Sequence, residues 1–236
     1  MALWLILFIL VVGISFLLAL RSMMDYQEVP EQTKVEYGLF LIRQIDNFDA
    51  NILNAIRNRL HTAGLVISIE RLIKGKQAAL TIFGLKKILA DFTDKLNLLE
   101  LEDYTASWAG KEVSTWEIGV KDSHYLKHED FDNIFKNLPE FAEDDQFFLQ
   151  VVLSPKGNQD NAPFATQIRV AFLAEDSQRK RLLAPLLHNL NTGGLIKVPR
   201  PFSLGQMMSF YRARSLSKDS KGPILDSQAV ARLLKV

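Results

Sequence analysis

The sequence predicts an α+β fold in which an N-terminal transmembrane helix is followed by two tandem ferredoxin-like (βαββαβ) units. Three observations lead to this prediction. Residues 2–20 are apolar and carry no charge. After residue 34, apolar residues are spaced as in a strand, a helix, two strands, a helix and a strand, and this order begins again near residue 111. Such an order packs both helices on one face of an antiparallel sheet.

Residues 1–22 are predicted to be a membrane anchor and residues 23–34 a polar linker. As a helix, residues 2–20 would span roughly 28 Å, close to the thickness of a bilayer hydrocarbon core. A cleaved signal peptide is the alternative. No Lys or Arg precedes the apolar run, however, and no small-x-small cleavage pattern follows it. Arg21, at the C-terminal end of the run, favours a cytoplasmic body.

The first predicted unit is residues 35–104. Its strands are recognised by alternating or β-branched apolar residues, and its helices by apolar residues three and four apart. The predicted strands are 35–45, 65–70, 78–83 and 98–102, and the predicted helices are 49–63 and 85–96.

The second predicted unit is residues 111–200. Its strands are 112–120, 146–154 and 165–174, and its helical stripes are 131–138 and 182–190. Pro185 should kink or split the second helix, because proline removes a backbone donor. The closing strand is either 195–198 or a stretch around 207–213.

The turn Lys74-Gly75-Lys76 joins two predicted strands and raises the question of phosphate or nucleic-acid binding. A phosphate-binding loop needs GxxxxGK[ST] before a helix, and this spacing is not present. An RNA-binding sheet needs stacking aromatics, but the strand after the turn has only Phe83, at its end. The turn is therefore predicted to be a solvated hairpin.

Residues that carry chemistry are few. The chain has no cysteine, which excludes disulfides, thiolate catalysis and cysteine-ligated metal sites. His124 and His128 could share a helix face beside acidic residues, but they fall between a predicted strand and a predicted helix. No Walker motif or catalytic constellation stands out. The sequence therefore predicts a protein that is not an enzyme and has no cofactor or metal.

The C-terminal segment, residues 201–236, is basic in a chain whose net charge is only +1. Between Lys197 and Lys221, Asp219 is the only acidic residue. A surface that meets acidic lipid, nucleic acid or an acidic partner is one interpretation, and a solvated connector is the other. The candidate electrostatic surface comprises Lys197, Arg200, Arg212, Arg214, Lys218 and Lys221.

The stretches "EYGLFLIR", "ISIERLIKGKQAALTIFG" and "LNLLELEDYT" resemble the membrane-associated N-terminal region of bacterial conjugation and type IV secretion-like ATPases. These belong to the hexameric DNA-translocase superfamily. The segment 211–236 is similar to the family's arginine-containing stretch before the motor, with Arg212 or Arg214 at the arginine. It departs from the family in Gln228-Ala229-Val230 and in having no motor domain.

The resemblance implies a non-catalytic accessory or docking protein of a translocation apparatus, at the bacterial inner membrane with its soluble part in the cytoplasm. Its partners would be a separate ATPase or other secretion components, and nucleic acid would bind only weakly and without sequence preference. The alternatives are an inner-membrane scaffold of a type IV pilus or type II secretion-like system, and an enzyme on this frequently reused fold.

Overall fold

The structure is a computed structural model of the 236-residue chain. It describes Val12 and residues 36–63, 65–109, 113–120, 141–157, 162–173, 195–197, 204–216 and 222–234. The described strands join into one antiparallel sheet, and helical segments pack on both of its faces.

Most of the strands begin and end within a few residues of an apolar run of the sequence. Such a run alternates with polar residues where one face of the sheet is covered, and it is continuous where both faces are covered. The described strands are β1 (Tyr37–Ile42), β2 (Ile67–Lys74), β3 (Gln77–Leu85), β4 (Leu98–Leu101), β5 (Val113–Val120), β6 (Gln146–Pro155), β7 (Phe164–Leu173), β8 (Leu195–Lys197) and β9 (Ile224–Leu225).

Two of the helices begin where the sequence supplies an aspartate. The Oδ1 atom of Asp49 accepts a hydrogen bond from the N–H of Ile52 at 2.9 Å, and Asp226 does the same for Ala229 at 2.7 Å. Such caps satisfy donors that the first helical turn leaves unpaired. In the described ranges after Val12 the α-helices are α1 (Ala50–Ala63), α2 (Lys86–Leu89), α3 (Thr93–Leu96), α4 (Leu204–Ala213) and α5 (Ser227–Leu234).

The strand order is β4-β1-β3-β2-β6-β7-β5-β8, and β9 also pairs with β7. All of the pairings are antiparallel. Read outward from the β2–β6 pair, one half of the sheet has the order β2-β3-β1-β4 and the other has the order β6-β7-β5-β8. The two halves therefore have the same arrangement of their four strands. The sheet is therefore continuous across the middle of the chain.

The predicted fold class is wrong. Two separate ferredoxin-like units, at 35–104 and 111–200, would each have its own sheet, whereas β2 and β6 pair over eight residues from Ile67–Leu153 to Lys74–Gln146. The physical reason is the cost of an open edge. Two separate sheets would leave β2 and β6 with rows of unpaired N–H and C=O groups, and pairing these strands satisfies both rows at once.

One face of the sheet carries the main hydrophobic core. Leu53 and Ile56 of α1, and Val230 and Leu233 of α5, are all fully buried against it. The Oγ atom of Ser227 also bonds Asn54 on α1. The two helices are therefore packed together on this face.

The helix predicted over 85–96 is confirmed in its buried stripe but not in its regularity. Leu89 and Leu96 are fully buried and Phe92 is 5% exposed, so the predicted apolar face does meet the core. The backbone, however, divides into α2, a 3-10 helix (Ala90–Phe92) and α3. Asn97 then adopts a left-handed conformation with φ 48° and ends the segment.

In the C-terminal part, the structure contains elements that the sequence-based prediction left undecided or did not include. The closing strand is β8, the first of the two predicted alternatives, and the stretch around 207–213 is the helix α4. The strand β9 and the helix α5 were not predicted. The helical stripes at 131–138 and 182–190 lie outside the described residues.

Among the described residues, none of the helices has the length and apolar character that crossing a membrane requires. The predicted anchor, residues 1–22, and the predicted linker, residues 23–34, lie outside the described residues apart from Val12.

The continuous sheet predicts that the described body unfolds in one step. Leu153 lies on β6 at the joint between the halves and is fully buried, while Leu99 lies on the edge strand β4 and is 48% exposed. We expect Leu153→Ala to lower the free energy of unfolding by about 2–5 kcal/mol. The matched substitution Leu99→Ala should cost less than about 1 kcal/mol.

Urea denaturation followed by far-UV circular dichroism and by tryptophan fluorescence checks both statements. We expect the two signals to coincide in the wild-type protein and in both variants. Two separate transitions would contradict the single sheet.

Candidate functional site: a buried charged row and the segment that covers it

A row of polar side chains crosses the centre of the sheet on the face opposite α1. Because directly opposed residues of antiparallel strands point to the same side, the strand register brings these residues together. Five neighbouring strands contribute to the row, and each member is at most 2% exposed. In order across the sheet the members are Thr81, Glu70, Gln150, Arg169 and Glu117.

Glu70 is the best-connected member of the row. Its carboxylate accepts hydrogen bonds from the hydroxyls of Tyr104 at 2.7 Å and Ser68 at 2.9 Å. It also accepts from Gln150 Nε2 at 3.0 Å and from Arg214 Nε at 2.8 Å. Every one of these groups donates, which is the arrangement that an ionised carboxylate requires, since it can only accept.

Arg214 supplies the counter-charge. Its guanidinium also meets Asp103 through two bonds, Nη1–Oδ2 at 2.8 Å and Nη2–Oδ1 at 3.2 Å. A bond from Nη1 to the carbonyl of Arg212 at 3.1 Å and one from Nη2 to Glu70 at 3.4 Å complete the set. All five N–H groups of Arg214 therefore have an acceptor, as a buried guanidinium needs.

The electrostatics follow from this geometry. Burial alone would lower the pKa of Arg214, but the charge of Glu70 and the contacts with Asp103 outweigh it and raise that pKa above its usual value. For the carboxyl of Asp103, in contrast, burial alone would raise the pKa. The hydrogen bonds and charge of Arg214 reverse that tendency, so the net pKa of Asp103 is lowered.

The backbone of Arg214 is unusual for this residue type. It follows α4 directly and has φ 50°, in the left-handed region where glycine is the common helix-terminating residue. Its N–H donates to the carbonyl of Tyr211 at 3.2 Å. A side chain in this conformation costs roughly 1–2 kcal/mol. The buried contacts of the guanidinium explain why arginine occupies the position.

Two tyrosines extend the network. The hydroxyl of Tyr104 donates to Glu70, so in its 3.0 Å contact with the hydroxyl of Tyr211 the donor is Tyr211. Burial first, and then the nearby charge of Glu70, raise the pKa of both phenols well above the usual value. Both hydroxyls are therefore neutral donors, arranged in a chain that ends on the carboxylate.

The row also binds the backbone that covers it. Arg169 Nη1 donates to the carbonyl of Phe210 at 2.9 Å, and its Nη2 donates to the carbonyl of Ser215. Gln150 Nε2 donates to the carbonyl of Tyr211 at 2.9 Å. Carbonyls at a helix C-terminus carry partial negative charge, so a cation there is favourable. We call residues 204–216, which these bonds fasten to the sheet, the strap.

An aromatic cluster lies beside the row and under the strap. The ring of Trp108 is 4.8 Å from Phe148 and 5.2 Å from Tyr211, and Tyr104 stacks on Phe148 at 5.1 Å. The centre of this face is thus polar, and one of its flanks is apolar.

The predicted electrostatic surface is only partly described. Arg214 does not belong to it: the residue is 2% exposed, and its charge is neutralised by the buried Glu70 and by Asp103, whose side chain is 44% exposed. Arg212 is exposed on α4, as predicted for a surface residue. Lys197 lies on β8, opposite Ile118. The remaining members, Arg200, Lys218 and Lys221, lie outside the described residues.

The turn Lys74-Gly75-Lys76 is a hairpin, as predicted, and β2 and β3 pair antiparallel on either side of it. Gly75 has φ 53°, and its N–H donates to the carbonyl of Asp145 at 3.2 Å. A Cβ at Gly75 would come within 3.1 Å of the backbone of Glu143. The turn therefore packs against an acidic stretch of the chain, which disfavours phosphate.

The predicted histidine pair, His124 and His128, lies outside the described residues. In the part of the chain that the structure covers, no three His, Cys, Asp or Glu side chains are grouped to hold a metal ion.

Sequence reasoning missed the charged row, although a signal for it is present. Gln150 interrupts the apolar run from Phe147 to Leu153, and Glu70 and Arg169 are charged residues within predicted strands. Buried polar residues need partners, so polar residues at such positions indicate a shared network. Which residues meet depends on the strand register, and the sequence pattern does not contain the register.

Comparisons with known proteins identify no family. No family model and no curated protein matches the chain. Among solved structures, berberine bridge enzyme from Eschscholzia californica matches at 12% identity and a TM-score of 0.39, over 74% of this chain and 44% of that one. Xylooligosaccharide oxidase from Myceliophthora thermophila C1, in complex with xylobiose, matches at 6% identity and a TM-score of 0.33, over 79% and 55%.

The chain therefore spans about half the length of the structures that it matches. At these scores the likeness assigns neither a fold family nor an activity.

The predicted description of the chain as a single-pass, ferredoxin-like protein of conjugation, type IV secretion or translocation is wrong for the described residues. They contain no membrane-crossing helix and form one sheet. The resemblance to the ATPase N-terminal region stays a prediction.

The buried ion pair gives a direct stability prediction. Arg214→Met keeps much of the side-chain volume but leaves Glu70 as a buried, uncompensated charge, so we expect a loss of about 3–5 kcal/mol in the free energy of unfolding. Arg212→Met, two residues away and exposed, is the matched control and should change it by less than about 0.5 kcal/mol. Urea denaturation measures both variants, and equal effects would contradict the assigned ion pair.

The lowered pKa of Asp103 predicts acid sensitivity. A carboxyl whose pKa is lower in the folded state contributes stability above its unfolded pKa and loses that contribution as the pH falls through the folded value. We therefore expect Asp103→Asn to be less stable than the wild type at pH 7 and to lose less stability between pH 7 and about pH 3. Glu102→Gln, at the exposed neighbouring position, is the matched control for the loss of one negative charge.

Urea midpoints at the two pH values test this prediction. A wild-type pH dependence in Asp103→Asn would show that the contact with Arg214 does not control the titration of Asp103.

Proposed function

We propose that the chain is a non-catalytic docking protein that presents the basic segment around the strap to an acidic surface of a partner protein. One observation carries this proposal. Glu70, Gln150 and Arg169 of the row are hydrogen-bonded to the strap, so their arrangement positions a segment of backbone. Arg212 is exposed on that segment, and further basic residues flank it in the sequence.

The choice of a protein partner over single-stranded nucleic acid rests on the aromatic side chains. Base binding without sequence preference needs exposed rings on which bases can stack. The ring of Phe83 is engaged by Tyr37 at 5.5 Å and by the guanidinium of Arg214 at 4.7 Å. Tyr104 is stacked on Phe148. These rings are therefore occupied within the chain, which favours an electrostatic contact with protein carboxylates.

We also propose the predicted location, which is the bacterial inner membrane with the body of the protein in the cytoplasm. It depends on residues 2–20, which lie outside the described residues. The docking surface is independent of that location, because it involves residues 197–221 alone.

A charge-removal experiment tests the docking surface. Replacing Lys197, Arg200, Arg212 and Lys218 with Gln leaves the buried Arg214 in place. Because each exposed ion pair contributes about 0.2–1 kcal/mol, we expect the affinity for poly-L-glutamate, used as an acidic polypeptide probe, to fall by about tenfold or more. The wild-type affinity should also fall as salt is added.

The matched control removes four exposed lysines elsewhere, namely Lys74, Lys76, Lys87 and Lys95. This control changes the net charge equally, so it should keep most of the binding if the surface is specific. Equal losses in both variants would contradict the proposal. Selective loss of duplex DNA binding, with poly-L-glutamate unaffected, would replace it with a nucleic-acid function, for which log K falls with log salt by about 0.9 per phosphate neutralised.

A further inference from the structure

The surroundings of Arg214 have the composition of a receptor for a guanidinium group. Glu70 and Asp103 come from separate parts of the chain, β2 and the turn before the 3-10 helix Tyr104–Trp108, and both face the same side chain. Two carboxylates in this arrangement match the two edges of a planar guanidinium, which presents five donors in a fixed fork.

The two carboxylates are held in place by groups other than Arg214. Ser68 and Tyr104 donate to Glu70 at 2.9 and 2.7 Å. Asp103 accepts bonds from the backbone N–H of Thr105 at 2.9 Å and from its hydroxyl at 2.8 Å. The sheet and the turn therefore help to fix the receptor geometry, in addition to the contacts that Arg214 makes.

Aromatic rings complete the receptor. The guanidinium carbon of Arg214 lies 4.7 Å from the ring centre of Phe83 and 5.7 Å from that of Tyr104. Both distances are within the range in which a cation is attracted to an aromatic face. Stacking of this kind favours a flat guanidinium over the compact ammonium group of lysine.

The residue that fills the receptor is held there at a cost. Arg214 has the left-handed backbone described above, and it belongs to the strap, which meets the row through the backbone carbonyls of Phe210, Tyr211 and Ser215. An arginine side chain of another polypeptide could meet the same groups without this backbone strain, which would offset part of the entropic cost of association.

We propose that Glu70, Asp103, Phe83 and Tyr104 form an arginine-binding site, which Arg214 fills in cis and which accepts an arginine side chain of another polypeptide when the strap leaves. The inference does not depend on the proposed docking surface, since that surface uses basic residues and this site uses the carboxylates of Glu70 and Asp103.

Chemical rescue of Arg214→Gly tests the site. The variant removes the side chain and fits the left-handed backbone, so the receptor is emptied without new strain. We expect N-ethylguanidinium to raise the melting temperature of the variant by roughly 3–6 °C at ten times its dissociation constant. Ethylammonium, with the same charge, should have a much smaller effect, and neither compound should stabilise the wild-type protein, whose site is filled.

The experiment remains decisive if Arg214→Gly does not fold alone. N-ethylguanidinium should then restore the folded circular dichroism spectrum at millimolar concentration, and ethylammonium should not. Equal effects of the two cations, or no effect of either, overturn the proposal.

Binding of an arginine from another polypeptide is tested with a labelled peptide that has the sequence of residues 204–216. Fluorescence anisotropy should show it binding to Arg214→Gly at least tenfold more tightly than a peptide with lysine in place of Arg214. Rescue by N-ethylguanidinium without such a preference would limit the site to its cis occupant and overturn the claim of a polypeptide partner.

Discussion

The structure depends on one constraint, which is a carboxylate in the middle of a sheet. Glu70 is fully buried on the central strand β2, where water does not solvate its charge. Such a charge is tolerated only when it is paired and its oxygens are hydrogen-bonded. The guanidinium of Arg214, the hydroxyls of Ser68 and Tyr104 and the amide of Gln150 meet this requirement. The path of the chain on this face of the sheet follows from bringing them together.

The two faces of the sheet are held by different forces. On one face, α1 and α5 pack apolar side chains against the strands, and the hydrophobic effect stabilises the contact in proportion to the area buried. On the other face, the strap is fixed at its centre by charged and amide groups that bind its backbone carbonyls. Hydrogen bonds are directional, so this second contact defines the position of the strap more sharply than apolar packing alone would.

The sequence predicted much of the local structure, although β9, α4 and α5 were missed. Alternation of apolar residues located the strands within a few residues, and the stripe of Leu89, Phe92 and Leu96 identified the buried side of an irregular helical segment. Met207, Phe210 and Tyr211 are three and four residues apart, which is helical spacing, and this pattern would have identified α4 inside the basic segment. The same reasoning applies to Val230 and Leu233 in α5.

Long-range pairing could not be read from these patterns. An alternating strand shows which side chains are buried but not which strand lies beside it, so the β2–β6 joint was missed. The burial of Arg214 was missed for the same reason. An arginine in a basic stretch of sequence is expected to be exposed. The partners of Arg214, Glu70 and Asp103, are more than a hundred residues away in the chain.

A double-mutant cycle between Arg214→Met and Glu70→Gln measures the central interaction most directly, because it isolates the coupling of the two side chains from the other effects of each change. If the pair organises this face of the sheet, the cycle should give a coupling free energy of about 1–3 kcal/mol, and the double variant should be less destabilised than the sum of the single variants. Additivity within about 0.5 kcal/mol would contradict the account, since it would mean that Glu70 and Arg214 do not depend on each other.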